Sequence, residues 1–212
     1  MIFTEKTYAK LCLEELKNIT PNKSILLHSC CAPCSSYVIT FLAPYFNITI
    51  LYYNPNIFPK NEYLKRKEEQ IRLINSLKTP NKVDILDCDY DNEIYEKQIK
   101  GYENCPERGA RCNICFKLRL EKTAELAKKN NYDYFCSTLT VSPYKNAKLI
   151  NEIGNELAKK YQIKWLYSDF KKNDGYKKSI ELSKKYNLYR QNYCGCIYSK
   201  KEQEEKNTIK IA

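Results

Sequence analysis

Short apolar runs alternating with helix-spaced segments constrain this chain's fold more than any other feature. Residues 24–29, 47–53, 83–86, 134–136 and 163–167 read as strands, rich in Ile, Leu, Val, Tyr and Phe. Between them, residues 34–46, 61–77, 91–100, 113–129 and 146–160 read as helices, and residues 174–187 as a basic helix after the last strand. In the second of these Leu64, Ile71, Ile74 and Leu77 recur at helical spacing, as do Leu149, Ile150, Ile153 and Leu157 later. Strands that alternate with helices pair in parallel, because each crossover returns the chain to the same edge. The expected fold class is therefore α/β: a Rossmann-like (HUP-like) three-layer fold with a mostly parallel sheet of about five strands and a cysteine-bearing helical segment. At 212 residues one domain is expected. Its expected limits are residues 24–200, between an N-terminal helical extension (1–23) and a charged tail (201–212) that should fray.

Sites in open parallel sheets form beyond the carboxyl ends of the strands. Cys30-Cys31-Ala32-Pro33-Cys34 occupies that place after the first strand. Two more of the eleven cysteines form Cys112-Asn113-Ile114-Cys115, at the start of a helix near Arg108, Arg111 and Arg119, which favour thiolates. A third group is Cys194-Gly195-Cys196. Three close groups far apart in the chain are what a fold-assembled metal or redox site needs, since thiolates are both soft ligands and electron-transfer nucleophiles. Two ligands from Cys112 and Cys115, with two from Cys30, Cys31 and Cys34, would complete four-thiolate ligation of zinc or an iron–sulfur cluster. A disulfide between Cys194 and Cys196 would close a very small ring and be readily reduced. The same pair could instead supply two ligands. Cys12, Cys88, Cys105 and Cys136 stand alone and read as packing residues.

A net charge of +11 suits a polyanionic partner, although much of the lysine alternates with glutamate on solvated helix faces. No apolar run reaches the roughly 18 residues of a membrane span, and the N-terminus lacks a signal peptide's apolar centre. The expected location is the cytoplasm, where thiols stay reduced.

Four ordered motifs give the chain a family resemblance. They are Leu27-His28-Ser29-Cys30-Cys31-Ala32-Pro33-Cys34-Ser35, then Arg111-Cys112-x-x-Cys115-x-x-x-Arg119-Leu120, then Thr138-Leu139-x-x-Ser142-Pro143-Tyr144-Lys145-Asn146, and last Leu188-Tyr189-Arg190-Gln191-x-Tyr193-Cys194-Gly195-Cys196. Together they resemble the QueH-type epoxyqueuosine reductases, the cobalamin-independent enzymes of tRNA queuosine biosynthesis. The resemblance implies reduction of epoxyqueuosine to queuosine in a tRNA anticodon loop, with the epoxide oxygen leaving as water. It implies a [4Fe-4S] cluster on Cys30, Cys31, Cys112 and Cys115, and a redox-active disulfide between Cys194 and Cys196. Cys34, where some relatives carry a carboxylate, is left between ligating a second, mononuclear iron and assisting catalysis. Opening the epoxide takes two electrons and two protons, and a cluster passes one electron at a time, so an external electron donor is also implied.

Candidate substrate contacts are Lys145 and Arg190 to tRNA phosphate, and Tyr144, Tyr189 or Tyr193 stacked on a nucleobase. A cysteine thiol, Tyr193 and His28 are candidate proton donors, although His28, the only histidine, reads better as a packed residue. Two other functions compete. An ATP-using tRNA-modifying enzyme of the nucleotide-hydrolase-related class needs a Gly-rich loop after the first strand, and cysteines hold that slot in a chain with five glycines. A zinc-dependent RNA-binding protein would be colourless, unlike an iron–sulfur protein.

Overall fold

The computed structural model describes residues 7–211. Its centre is a five-stranded, fully parallel sheet in the order β3-β2-β1-β4-β5. The strands are β1 (Ser24–His28), β2 (Asn47–Leu51), β3 (Val83–Leu86), β4 (Tyr134–Ser137) and β5 (Lys164–Trp165). β1 is central, and Ile25, Leu26 and Leu27 are fully buried because helices cover both faces of the sheet. Truncating such a residue to alanine costs about 2–5 kcal/mol.

Eight α-helices accompany the sheet among the described residues: α1 (Tyr8–Lys17), α2 (Ala32–Leu42), α3 (Lys60–Ser76), α4 (Asn92–Gln98), α5 (Ala110–Lys129), α6 (Ala147–Tyr161), α7 (Gly175–Lys185) and α8 (Ile197–Ile211). α2 packs against α3 and α7, and α5 against α6, β1 and β4. These contacts form the two outer layers. None of the described helices is long and apolar enough to cross a membrane.

Local chemistry sets the helix starts. Asn146 caps α6 by accepting from the Leu149 N–H at 3.2 Å. α2 begins two residues earlier than its periodicity suggests, because Pro33 lies in the first turn, where no N–H is needed. α5 likewise starts at Ala110, which puts Cys112 in its first turn. Two features depart from the expectations. A 3-10 turn at Thr138–Val141 follows β4, capped by the Ser137 hydroxyl accepting from Leu139 N at 3.2 Å. The charged segment after Ser199, which carries no helical period, continues α8 through Ile211. Glu202 tethers it by accepting from the Arg111 guanidinium at 3.0 Å and from Glu107 N at 3.1 Å.

Candidate active site and metal centre

β1 sends its crossover to β2 on one side, while its other neighbour, β4, is reached from β3, so strand order reverses between β1 and β4. A crevice opens at such a switch point, beyond the carboxyl ends. Here it is bridged by the Cys30 N–H donating to Thr138 Oγ1 at 3.2 Å. Cys31 is extended at the N-cap of α2 and Cys34 lies in that helix's first turn, so the chain folds back on itself. As a result the sulfurs of Cys30, Cys31 and Cys34 all lie within 4.8 Å of one another. Four sulfurs at about 2.3 Å around one tetrahedral metal ion stand about 3.8 Å apart. The Cys30 and Cys31 sulfurs are 3.8 Å apart, so this group of three is sized to hold a metal ion. The Cys31 thiol is held well below its ordinary pKa because Cys30 and Cys34 donate S–H to its thiolate, and Cys34 is pushed up by the same contacts.

The remaining clustered cysteines gather separately. Cys112 and Cys115 are three residues apart on α5 and share a face. Cys115 and Cys196 pack with Tyr95 and Ile99 in one small cluster. Burial pushes Cys115 up to about 12 and also raises Cys112, and the charges of Cys194 and Cys196 raise both further. Cys112 Sγ accepts from Arg108 N at 3.2 Å. Lys145 Nζ donates to Cys194 Sγ at 2.9 Å. Burial works against that ammonium, but the electrostatic pull of Cys194 and the hydrogen bond to it together raise the lysine pKa.

The Cys194-Gly195-Cys196 turn is held from three sides. Arg66 Nη1 donates to Cys194 O at 3.1 Å, Phe58 N to Gly195 O at 2.9 Å, and Ser199 N to Cys196 Sγ at 3.4 Å. Gly195 has φ +141°, and a Cβ there would stand 3.0 Å from Ile57 Cγ1, so only glycine fits without strain. None of the eleven cysteines is in a disulfide, Cys194 and Cys196 included.

One cavity of about 400 Å³ holds the first sulfur group and meets the second at Cys194. Cys30, Cys31, Cys34 and Cys194 line it, with Arg119, Asn54, Lys145, Arg190, Gln191 and Tyr193. At its rim Tyr144 is 58% exposed, with the Arg108 guanidinium 5.1 Å from the ring centre. Tyr193 donates its hydroxyl proton to Phe58 O at 3.1 Å and packs under Arg66. Lys145 lines the cavity too, but its ammonium is turned inward to sulfur.

His28 is fully buried. Its Nε2–H donates to Tyr53 O at 3.1 Å, and its Nδ1 accepts from Ser137 Oγ at 2.9 Å. Burial, then the Arg119 charge, lowers its pKa to about 3, so it is neutral and committed. Cys136 is buried in β4 against Leu166 O, and Cys12 is buried in the core with its pKa raised to about 12, both as packing residues.

Sequence reading alone did not single out Asn54, Gln191 or Glu202 as parts of this site, and it treated Arg119 only as one of three nearby bases. Asn54 lies beyond the carboxyl end of β2, and that position is its only signal in the sequence. Glu202 sits in a charge run and gave none.

The family model for epoxyqueuosine reductase QueH matches residues 25–202. The chain belongs to the QueH epoxyqueuosine reductases. An epoxyqueuosine reductase QueH of Streptococcus pyogenes serotype M1 is 45% identical over 191 residues, 89% of this chain and 74% of that protein. The Staphylococcus epidermidis QueH is 48% identical over 183 residues, 84% of this chain and 77% of its own length. The QueH of Thermotoga maritima is 35% identical over 187 residues, 87% of this chain and 94% of that protein. As a QueH protein the chain is an oxidoreductase, and all seven clustered cysteines fall inside the matched span.

Proposed function

We propose that the protein reduces epoxyqueuosine to queuosine in the anticodon loop of tRNA, using an iron–sulfur cluster and drawing electrons from an external donor. The supporting observation is the sulfur arrangement at the β1/β4 switch point, where Cys30, Cys31 and Cys34 stand together and line one cavity with Cys194 of the second group. Reduction of the epoxide consumes two electrons and two protons, breaks both ring C–O bonds, forms the alkene and releases water.

The donor set suits a thiolate-held centre. Arg119 is buried with Nη2 unpartnered, and the half-buried Lys145 donates to Cys194 with Glu107 4.0 Å away, so cationic groups face the sulfurs. The grouping favours an assignment different from the one the resemblance implies. Cys112, Cys115, Cys194 and Cys196 form the four-thiolate set for the cluster, and Cys30, Cys31 and Cys34 hold a single metal ion, iron in this reading. When bound, the cluster supplies electrons one at a time and the ion a Lewis acid for the leaving oxygen. The resemblance's own split, with Cys194 and Cys196 as a redox pair, predicts a cluster that survives loss of either residue.

The chain's own residues complete the site. The target nucleotide must leave its stack to reach a buried centre. Tyr144 at the rim offers a stacking face, and Arg108 and Arg190 meet phosphate. Lys145 holds Cys194 Sγ in place by its 2.9 Å contact.

The deciding experiment is anaerobic reconstitution with iron and sulfide. The product is then incubated with epoxyqueuosine-containing tRNA and a strong reductant, and the nucleosides are resolved by mass spectrometry. Queuosine should replace epoxyqueuosine only with the brown, reconstituted protein. A colourless protein with stoichiometric zinc and no turnover would sink the proposal in favour of a zinc-dependent RNA-binding role.

A further inference from the structure

The three largest fully buried side chains are arginines, and two of them are paired in the ordinary way. Arg66 Nε donates to Glu62 Oε1 at 2.7 Å, and Arg111 Nη2 to Glu202 Oε1 at 3.0 Å. Arg119 differs. At 2% exposure it has no carboxylate within ion-pairing distance among the described residues. Its Nε donates to Cys115 O at 3.1 Å and its Nη1 to Asn54 Oδ1 at 3.4 Å, while Nη2 is buried with no partner. Asn54 in turn donates to Ser29 O at 2.8 Å. The guanidinium is thus tethered on one side to the helix bearing Cys112 and Cys115, and on the other to the loop bearing Cys30 and Cys31.

A guanidinium cannot shed its proton to escape burial, so an uncompensated one is very costly. Its counter-charge has to be sulfur. Cys115, Cys194 and Cys30 are the neighbours that become its anions when they ligate a metal as thiolates. Arg119 also lines the cavity between the two groups.

We propose that Arg119 is a positioning residue that acts as the shared counter-charge of both sulfur groups, its free Nη2–H donated to a sulfur of the bound centre. This rests on the reading of the protein as an iron–sulfur reductase. Adding an electron makes a thiolate-ligated centre more negative, so a fixed cation and an N–H···S bond favour the reduced form and raise its potential. Arg119 therefore makes the centre reducible by a physiological donor.

The test compares Arg119→Gln and Arg119→Lys with the native sequence, each reconstituted anaerobically. The readouts are iron and sulfide content and the midpoint potential from an EPR-monitored redox titration. Arg119→Gln should keep its iron and titrate at a lower potential, with Arg119→Lys in between because it keeps the charge and loses the fork. With a weak donor, turnover of Arg119→Gln should fall about 10- to 100-fold, as for residues that support metal ligands, and a strong reductant should restore most of it. An unchanged potential in variants that keep their iron overturns the inference. So does loss of iron from Arg119→Gln while Arg119→Lys keeps both iron and native potential, which is a structural role only. Failure of the native protein to take up iron and sulfide would sink the proposed function itself, a separate result.

Discussion

Cys30, Cys31 and Cys34 come from one loop, whereas Cys112, Cys115, Cys194 and Cys196 come from two segments far apart in the chain. The first group needs only an extended Cys31 and one turn of α2 to bring its sulfurs within 4.8 Å. The second depends on α8 docking against the start of α5, which the Arg111–Glu202 pair and the tight turn at Gly195 secure. A contiguous site survives as long as its loop does. An assembled site inherits the stability of every contact that joins its halves. The two groups should therefore respond differently to the same perturbation.

The largest effects come from ligand removal in the assembled group. Cys112→Ala and Cys194→Ala should each lose the broad visible absorbance of thiolate-held iron–sulfur centres and drop turnover to background. If Cys194→Ala keeps full absorbance and loses only turnover, the four-cysteine grouping breaks and the redox-pair reading returns. In the contiguous group, Cys34→Ala should keep that absorbance but bind one metal ion fewer per chain. Its turnover should fall about 100-fold, measurable by metal analysis beside the nucleoside assay.

Glu202→Gln probes assembly without touching a sulfur. It weakens the partner of a buried arginine, and because Glu202 is 28% exposed the expected cost is about 1–3 kcal/mol. A lower Tm and weaker retention of the cluster, with the single metal ion kept, would sharpen the contrast; equal loss of both would erase it. The smallest effect belongs to the rim that serves both groups. Tyr144→Ala should raise the KM for tRNA about 5- to 10-fold, the low end for a lost stacking face, and leave metal content unchanged. A KM equal to that of the native protein would remove Tyr144 from substrate binding.

The alternation of strands and helices was legible because it is written locally, in apolar runs and helical spacing within each segment. So was the placement of Cys30–Cys34 after β1. The packing role of Cys136 was legible as well, and the neutral His28 agrees with the expectation of a packed histidine. Helix starts shifted by a few residues where Pro33 and the cap at Gly109 override periodicity. The 3-10 turn at Thr138–Val141 has no hydrophobic period to reveal it. α8 reads as a charged run because its fixing contacts, to Arg111 and Glu107, lie on another element.

The amino-acid sequence by itself determined the parallel α/β sheet, the three close groups of cysteines, and the glycine needed between Cys194 and Cys196. Each is decided within a few residues, by period, turn geometry or spacing. Only the tertiary structure decided which cysteines stand together, that Lys145 faces sulfur, and that Arg119 is buried without a carboxylate partner among the described residues. Those facts depend on packing between distant segments, where a charge acquires its meaning from what burial brings beside it.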